Sequence, residues 1–143
     1  MTRESWAGGT WSHAWGTAVA SAVASGLVGV RATRPAFDAF DVQPRLGGLE
    51  RASLRFPTLA GPVDVEANAT HTSVAAPCGT RATVCVRAPD AARALRAGDG
   101  GGATVVVDGA KHARGVSARG SHVCAEDLGC GADGAARVVS VVA

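Results

Sequence analysis

Large hydrophobic side chains are scarce in this sequence of 143 residues. It contains no isoleucine and no tyrosine, one methionine, three phenylalanines and seven leucines. Amphipathic helices bury such side chains against each other, so their scarcity argues against a helical bundle. The longest apolar run, residues 18–30, is interrupted by serine and glycine and falls short of the roughly 20 residues that a membrane span requires. We therefore expect no membrane-spanning segment.

Concentrated charge is also missing. The 14 basic and 12 acidic residues give a net charge of +2, and they are spread along the chain without runs. Proteins that bind nucleic acid or a membrane surface usually carry a basic patch or stripe, so we expect neither partner. Met1 is followed by Arg3, Glu4 and Ser5 with no apolar segment behind them, which does not resemble a signal peptide.

Small and β-branched residues are abundant instead, with 30 alanines, 19 valines and 19 glycines. From Leu49 onward, apolar and polar residues alternate in short stretches separated by proline and glycine, which is typical of an antiparallel β-sandwich. The alternating apolar sets are Ala52, Leu54 and Phe56; Val63, Val65 and Ala67; and Ala82, Val84 and Val86. Further strands are predicted over residues 39–42, 103–107, 115–118, 122–125 and 136–142. We expect no long helix between residue 36 and the C-terminus.

A single helix is predicted before the sandwich, from about His13 to Ser25. Ser12 is a suitable N-cap, and Gly26 or Gly29 a suitable end. Its apolar face consists of small residues, which favours close packing against another helix. The sequence predicts no second helix that could supply this contact.

The four cysteines, Cys78, Cys85, Cys124 and Cys130, do not have the spacing of a zinc site, in which two to four residues separate paired ligands. We therefore expect no metal site and no cofactor. Disulfides in an extracellular protein and free cysteines packed as small hydrophobes both fit the sequence, and three disulfide connectivities are possible. The sequon Asn68-Ala69-Thr70 is compatible with an extracellular protein but is too common to decide the localisation.

Several polar residues have ordinary structural interpretations. We expect His71, His112 and His122 to lie on strands or turns and to face solvent. Glu126-Asp127 is a weak calcium motif, since it has no further oxygen ligands beside it, and a turn is the better interpretation.

The N-terminal segment combines the residue types that bind sugars. Trp6, Trp11 and Trp15 lie within 15 residues of the N-terminus together with Glu4 and His13. Indole faces stack on pyranose rings, and carboxylate and imidazole groups form hydrogen bonds with their hydroxyls. The alternative is a structural role, in which the tryptophans hold the N-terminal arm against the sandwich and His13 caps a helix.

These motifs resemble the end of the catalytic domain of α-L-rhamnosidases, glycoside hydrolase family 78. The resemblance rests on residues 2–6 (Thr-Arg-Glu-Ser-Trp), residues 10–16 (Thr-Trp-Ser-His-Ala-Trp-Gly) and the link at residues 27–37. It continues through Val42-Gln43-Pro44 and the hairpin around Phe56-Pro57-Thr58, and becomes loose after about residue 90. It implies that residues 1–30 form the end of the catalytic (α/α)6 barrel and residues 31–143 a C-terminal β-sandwich.

The resemblance also implies roles for three residues. Glu4 corresponds to the general base that activates water, His13 to a residue that binds rhamnose hydroxyls, and Trp6 to a wall of the sugar site. Hydrolysis with inversion needs a second carboxyl group, the acid, about 6.5–9.5 Å from the base. The substrate would be a rhamnosylated carbohydrate or glycoside.

The acid and most sugar-contacting residues of this family lie in the barrel before the position of Glu4, and twelve helices with their loops need roughly 200 residues. Only three residues precede Glu4 in this chain. We therefore expect a C-terminal portion of a rhamnosidase that is inactive alone, as a gene fragment or as one piece of a split gene. The alternative is a non-catalytic β-sandwich accessory or carbohydrate-binding module. The genomic sequence upstream of Met1 distinguishes the two.

Overall fold

The computed structural model describes residues 18–98, 104–108, 110–111, 115–130 and 137–142. These residues form two β-sheets packed face to face, with helical segments before the first strand, between the first and second, and between the sixth and seventh. The α-helices are α1 (Ala18–Ser21) and α2 (Pro89–Ala97); Ala22–Leu27 is π-helical and Pro35–Phe37 is a short 3-10 segment. The strands are β1 (Val30–Ala32), β2 (Ala39–Val42), β3 (Arg51–Thr58), β4 (Gly61–Asn68), β5 (His71–Ala75), β6 (Arg81–Arg87), β7 (Thr104–Val107), β8 (Ala110–Lys111), β9 (Val116–Arg119), β10 (His122–Leu128) and β11 (Arg137–Val142).

The predicted mainly-β fold is confirmed, and the alternating residues form strands as expected. In β4, Val63, Val65 and Ala67 are buried while the residues between them are more exposed. In β6, Ala82, Val84 and Val86 point into the same core. Because side chains on a strand alternate between its two faces, this pattern places one face of each strand against the opposite sheet.

One sheet has the strand order β1-β2-β6-β10-β9 and the other β3-β4-β5-β11-β7-β8. All neighbouring strands pair antiparallel except β2 and β6, which are parallel, with Phe40 opposite Ala82. The parallel pair arises because the chain leaves the first sheet after β2, builds β3, β4 and β5 in the second, and returns as β6. The sandwich is therefore antiparallel with one parallel pair, which the alternation alone could not predict.

The core between the sheets is built mostly from valine. Phe40, on β2, is its largest fully buried side chain. The ring of Phe37 lies 6.1 Å from that of Phe40 and 5.4 Å from that of Phe56, distances at which tilted aromatic rings pack favourably. The three phenylalanines are thus grouped between the two sheets, whereas Leu49 and Leu59 are exposed.

The predicted helix from His13 to Ser25 is described only from residue 18. Ala18–Ser21 is α-helical and Ala22–Leu27 is π-helical, closed by a hydrogen bond from the Val28 amide to the Val23 carbonyl at 3.0 Å. The Ser25 hydroxyl donates to the Ser21 carbonyl at 2.8 Å, and Gly26 follows. The side-chain hydrogen bond of Ser25 and the glycine that follows it both weaken the regular series of α-helical backbone hydrogen bonds, which accounts for the wider π-helical turn at the end of the helix. No helix of the described residues is long and apolar enough to cross a membrane.

Helix α2 was not predicted. Pro89 occupies its first turn together with Asp90, and Gly98 ends it with a left-handed φ of 74°. These are ordinary start and stop signals for a helix. The helix is amphipathic, with Ala92 buried and Asp90 and Arg93 exposed, but its inward side chains are mostly small. At nine residues it is a short helix, and it packs on β9 and β10 at one side of the sandwich.

All four cysteines are paired, so the free-cysteine alternative is wrong. Cys85 and Cys124 stand directly opposite each other on β6 and β10 and form one disulfide, which is fully buried. Cys78 and Cys130 form the second, beyond the ends of the same two strands. The two bonds are nested in the sequence and tie the same region of the first sheet.

Candidate functional site

The residues predicted to bind and hydrolyse a sugar all precede the described part of the chain. Glu4, Trp6 and His13 lie outside the described residues, so their roles stay predictions. The structure does describe the segment that follows them, residues 18–32, and the surfaces of the sandwich. Three regions of those surfaces carry polar or charged side chains close together.

The largest described cavity has a volume of about 480 Å³ and lies at one end of the sandwich. Four segments form it: the loop after β2, the turn between β4 and β5, the end of β6, and the turn between β9 and β10. Its lining residues are Pro44, Arg45, Leu46, Gly47, Leu49, Asn68, Ala69, Thr72, Arg87, Ser121 and His122. A volume of this size lies within the range of small-molecule sites.

His122 forms a buried wall of this cavity, so the expectation that it faces solvent is wrong. Its Nε2 lies 2.7 Å from the Pro44 carbonyl, and its Nδ1 lies 3.3 Å from Nε2 of Gln43. A carbonyl can only accept, so Nε2 carries the proton and Nδ1 accepts from the Gln43 amide. The imidazole therefore joins the turn before β10 to the loop after β2. Of the other histidines, His71 is half-buried and His112 lies outside the described residues.

Burial lowers the pKa of His122 below its usual 6.5, against a smaller opposing effect of the hydrogen bond to Pro44. The positive charges of Arg45 and Arg87 lower it further. The imidazole is therefore neutral near pH 7, with both nitrogens engaged by the protein. It is a structural group of the cavity wall and is poorly placed to exchange protons with a ligand.

The lowered pKa predicts that the protein loses stability as the pH falls. Below about pH 6.5 the unfolded chain protonates this imidazole while the folded chain resists it, so acid favours unfolding. The loss begins near pH 6.5 and grows until the pH reaches the lower pKa of the folded state. We expect the urea midpoint to fall between pH 7.5 and pH 5, and to fall less in His122→Gln, whose amide can still donate to the Pro44 carbonyl.

His71→Gln is the matched control, because it removes a half-buried histidine on β5 of the other sheet and should leave the acid-induced loss in place. If His122→Gln keeps the full pH dependence of the parent protein, the assignment of this dependence to His122 is wrong.

Asn68, which also lines the cavity, is held by a local turn. Its Oδ1 accepts from the Thr70 and His71 amides, each at 2.9 Å, and its Nδ2 lies 3.2 Å from Nε2 of His71. This arrangement is an Asx turn, which fixes the tight connection between β4 and β5. The sequon at this position therefore has a sufficient structural explanation.

The outer face of the first sheet carries a network of charges. Arg119 on β9 contacts Asp41 on β2 at 2.7 Å and Glu126 on β10 at 3.3 Å, and the Ser117 hydroxyl donates to Glu126 at 2.6 Å. Each carboxylate of this network is therefore engaged by an arginine. The arrangement ties three strands together and does not resemble an acid–base pair.

Glu126-Asp127 is a strand with a bulge, which corrects the interpretation as a turn. The pairing of β10 with β6 shifts between Ala125 and Leu128, and Asp127 has a φ of 57° at that irregularity. The carboxylate of Asp127 lies 2.6 Å from the guanidinium of Arg81. The described residues contain no group of three or more side chains suited to a metal ion.

Comparison with known families decides the class of this sandwich. The family model of the bacterial alpha-L-rhamnosidase C-terminal domain matches residues 29–103, which is more than half of the chain. The chain belongs to this family. The match begins at the glycine before β1 and runs through helix α2. The part of the sequence resemblance that lies between residue 29 and about residue 90 is thus borne out by the family match.

Two solved rhamnosidase structures share the fold. An alpha-L-rhamnosidase of Streptomyces avermitilis, complexed with L-rhamnose, superposes with a TM-score of 0.64 at 20% identity, over 91% of this chain and 11% of that one. The alpha-L-rhamnosidase of Dictyoglumus thermophilum gives 0.65 at 15% identity, over 92% of this chain and 14% of that one. A comparison with curated proteins finds no match. The chain therefore spans only about a tenth to a seventh of the solved rhamnosidases that it matches.

The cavity and the buried His122 could not be predicted from the sequence. The contacts of His122 with Gln43 and Pro44 join residues almost 80 positions apart, and the cavity needs both sheets to be in place. One signal was present: Val42-Gln43-Pro44 belongs to the family resemblance. The structure explains this motif, since the Gln43 amide and the Pro44 carbonyl both contact His122.

Proposed function

We propose that the chain is the C-terminal part of an α-L-rhamnosidase that hydrolyses terminal α-L-rhamnosyl residues with inversion. Residues 1–30 would complete the catalytic barrel, and residues 31–143 would form the sandwich that braces it. The observation that carries this proposal is the family match over residues 29–103. The fold shared with two rhamnosidases supports it.

In this proposal Glu4 is the base that removes a proton from the attacking water. His13 binds hydroxyls of the rhamnose, and Trp6 forms a wall of its site. The barrel supplies the acid that protonates the leaving oxygen, and the separation of the two carboxyl groups leaves room for the water. Neither carboxyl group is sufficient alone, because the leaving group needs its proton when the water attacks.

The connection between helix and sandwich supports the bracing role. The Arg45 amide donates to the Leu27 carbonyl at 2.8 Å, and the Gln43 amide donates to the Gly29 carbonyl at 3.1 Å. Val28, between these two bonds, is only 1% exposed. The end of the helix is therefore fixed to the loop after β2, and a movement of the sandwich would be passed on to the helix.

The exposed face of the helix supports contact with a barrel. Val19 is 70% exposed and Val23 is 38% exposed, although both are apolar. Burying them against neighbouring helices would contribute about 1.5–3 kcal/mol for each side chain that becomes fully covered. The missing helix partner that the sequence indicated is, in this proposal, the catalytic barrel.

The proposal predicts that the 143-residue chain alone does not hydrolyse an aryl α-L-rhamnoside. Acid or base assistance is typically worth 10²–10⁴-fold for each group, and positioning by the barrel adds to this. The measurement is the release of the phenol by the purified chain. Turnover well above the blank that disappears in Glu4→Gln would show that the chain assembles a working site and would refute the claim of inactivity.

The role of Glu4 is tested separately in a complete homologous enzyme. Changing the glutamate that aligns with Glu4 to glutamine should lower kcat by at least about 10²-fold while the protein stays folded. A nearly normal rate would remove the assignment of the base.

The second candidate function is a non-catalytic module that binds carbohydrate, and the cavity of about 480 Å³ is the observation that favours it. The genomic sequence upstream of Met1 separates the two. A reading frame for the barrel supports the enzyme, and its absence supports the independent module.

A further inference from the structure

Two arginines that take part in none of the described ion pairs line the cavity beside His122. Arg45 comes from the loop after β2 and Arg87 from the end of β6, and both line the cavity. The described ion pairs involve other arginines, and neither of these two guanidinium groups contacts a described carboxylate. They are thus available to an anion from outside.

The charged residues that line this cavity are all basic, although Arg45 also borders a smaller pocket that contains Asp41. No aspartate or glutamate is among the described residues that line the cavity. Both guanidinium charges lower the pKa of His122, so both are close enough to act on the same wall. Because His122 stays neutral, it neither adds to this charge nor cancels it. Two cations facing one pocket without a counter-ion repel each other, and a bound anion would relieve this repulsion.

The remaining lining suits a sugar better than a bare ion. Pro44, Leu46 and Leu49 provide an apolar wall, and Leu49 is 53% exposed at its edge. Ser121 adds a hydroxyl group beside this wall. A volume of about 480 Å³ is far larger than phosphate or sulfate requires. Apolar surface with a few polar groups is typical of small-molecule sites.

We propose that this cavity binds an acidic oligosaccharide, with Arg45 and Arg87 on a uronate carboxylate and the leucine wall against a neighbouring sugar ring. The choice of a sugar rests on the proposed function, whereas the choice of an anion rests on the arginines alone. The amide of Arg45 also forms the hydrogen bond to the Leu27 carbonyl. The site therefore lies beside the segment that leads to the proposed barrel.

The test is a calorimetric titration of the 143-residue chain with trigalacturonate at low salt. We expect saturable binding that weakens as salt is added, because the contact is charged. Arg45→Gln and Arg87→Gln should each weaken binding about tenfold, as expected for the loss of a charge-assisted contact. Arg34→Gln is the matched control: it removes the same charge from an exposed position before β2, at the other end of the first sheet, and should leave the affinity within about twofold.

Three further arms identify the ligand class. The methyl ester of the same trisaccharide should bind at least about tenfold more weakly, since it lacks the carboxylate. Inorganic phosphate should bind more weakly than trigalacturonate, and Leu49→Ser should weaken binding of the trisaccharide but not of phosphate. Absence of trigalacturonate binding, equal binding of the ester, equal effects of all three arginine variants, or phosphate binding as tight as the trisaccharide would each overturn the proposal. The proposed rhamnosidase function would survive these outcomes, because hydrolysis by a complete homologue tests it independently.

Discussion

Replacing Gly29 with alanine is expected to lower the free energy of unfolding by at least about 3 kcal/mol. Gly29 has a φ of 76°, which costs a residue with a Cβ atom about 1–2 kcal/mol. An added Cβ would also lie 1.9 Å from the Gln43 carbonyl oxygen, a distance that no relaxation of a side chain can relieve. The backbone would have to move, and the hydrogen bond from the Gln43 amide to the Gly29 carbonyl would be lost.

Gly48→Ala is the control for this prediction. An added Cβ at Gly48 meets no heavy atom within 4 Å, and its φ lies outside the left-handed region. Thermal unfolding should show a decrease of about 10 °C or more for Gly29→Ala and little change for Gly48→Ala. Equal thermal midpoints for the two variants would show that the close approach of residues 29 and 43 does not prevent a side chain at position 29.

Most of the described strands could be predicted from the sequence, whereas β1, β5 and the two-residue β8 were missed. The predicted strand at Ala39–Val42 is observed with these bounds, and β4 and β6 follow the predicted apolar positions. β5 was missed because Thr72, a polar residue, occupies an inward position. Its hydroxyl donates to the Cys85 carbonyl at 2.9 Å, so the buried hydroxyl is satisfied. Because an inward position is polar, the alternation of apolar and polar residues that predicts a strand is not visible in β5. β1 has only three residues, too few to show any period.

Site residues divide in another way. Glu4, Trp6 and His13 were predicted through family resemblance, and no physical pattern in the sequence requires their roles. Nothing in the sequence distinguishes Arg45 and Arg87 from the other arginines. They become candidate ligand-binding residues only in the folded protein, where the loop after β2 and the end of β6 line the same cavity. Local periodicity can predict a strand, but a pocket formed by four separate segments depends on contacts between residues far apart in the chain.

Loss of the buried disulfide is the second large expected effect. The sequence left three connectivities open, and the observed one nests Cys85–Cys124 inside Cys78–Cys130, with sequence separations of 39 and 52. When one bond is intact, the other closes only the short segments 78–85 and 124–130. Loops of this length correspond to about 3 kcal/mol for each bond in the chain-entropy treatment. The double variants Cys85→Ala/Cys124→Ala and Cys78→Ala/Cys130→Ala should therefore each lower the thermal midpoint by about 10–15 °C.

The comparison between the two double variants separates burial from cross-linking. Cys85 and Cys124 are both 0% exposed, so replacing them also leaves space in the sheet, whereas Cys78 lies at the surface. The two bonds contribute nearly equal entropic terms. We therefore expect Cys85→Ala/Cys124→Ala to have a free energy of unfolding about 1 kcal/mol lower than that of Cys78→Ala/Cys130→Ala, because it also loses packing in the sheet. Mild reductant should open the outer bond in the folded protein and the inner bond only after unfolding. An inner bond that is reduced first would contradict its burial between β6 and β10.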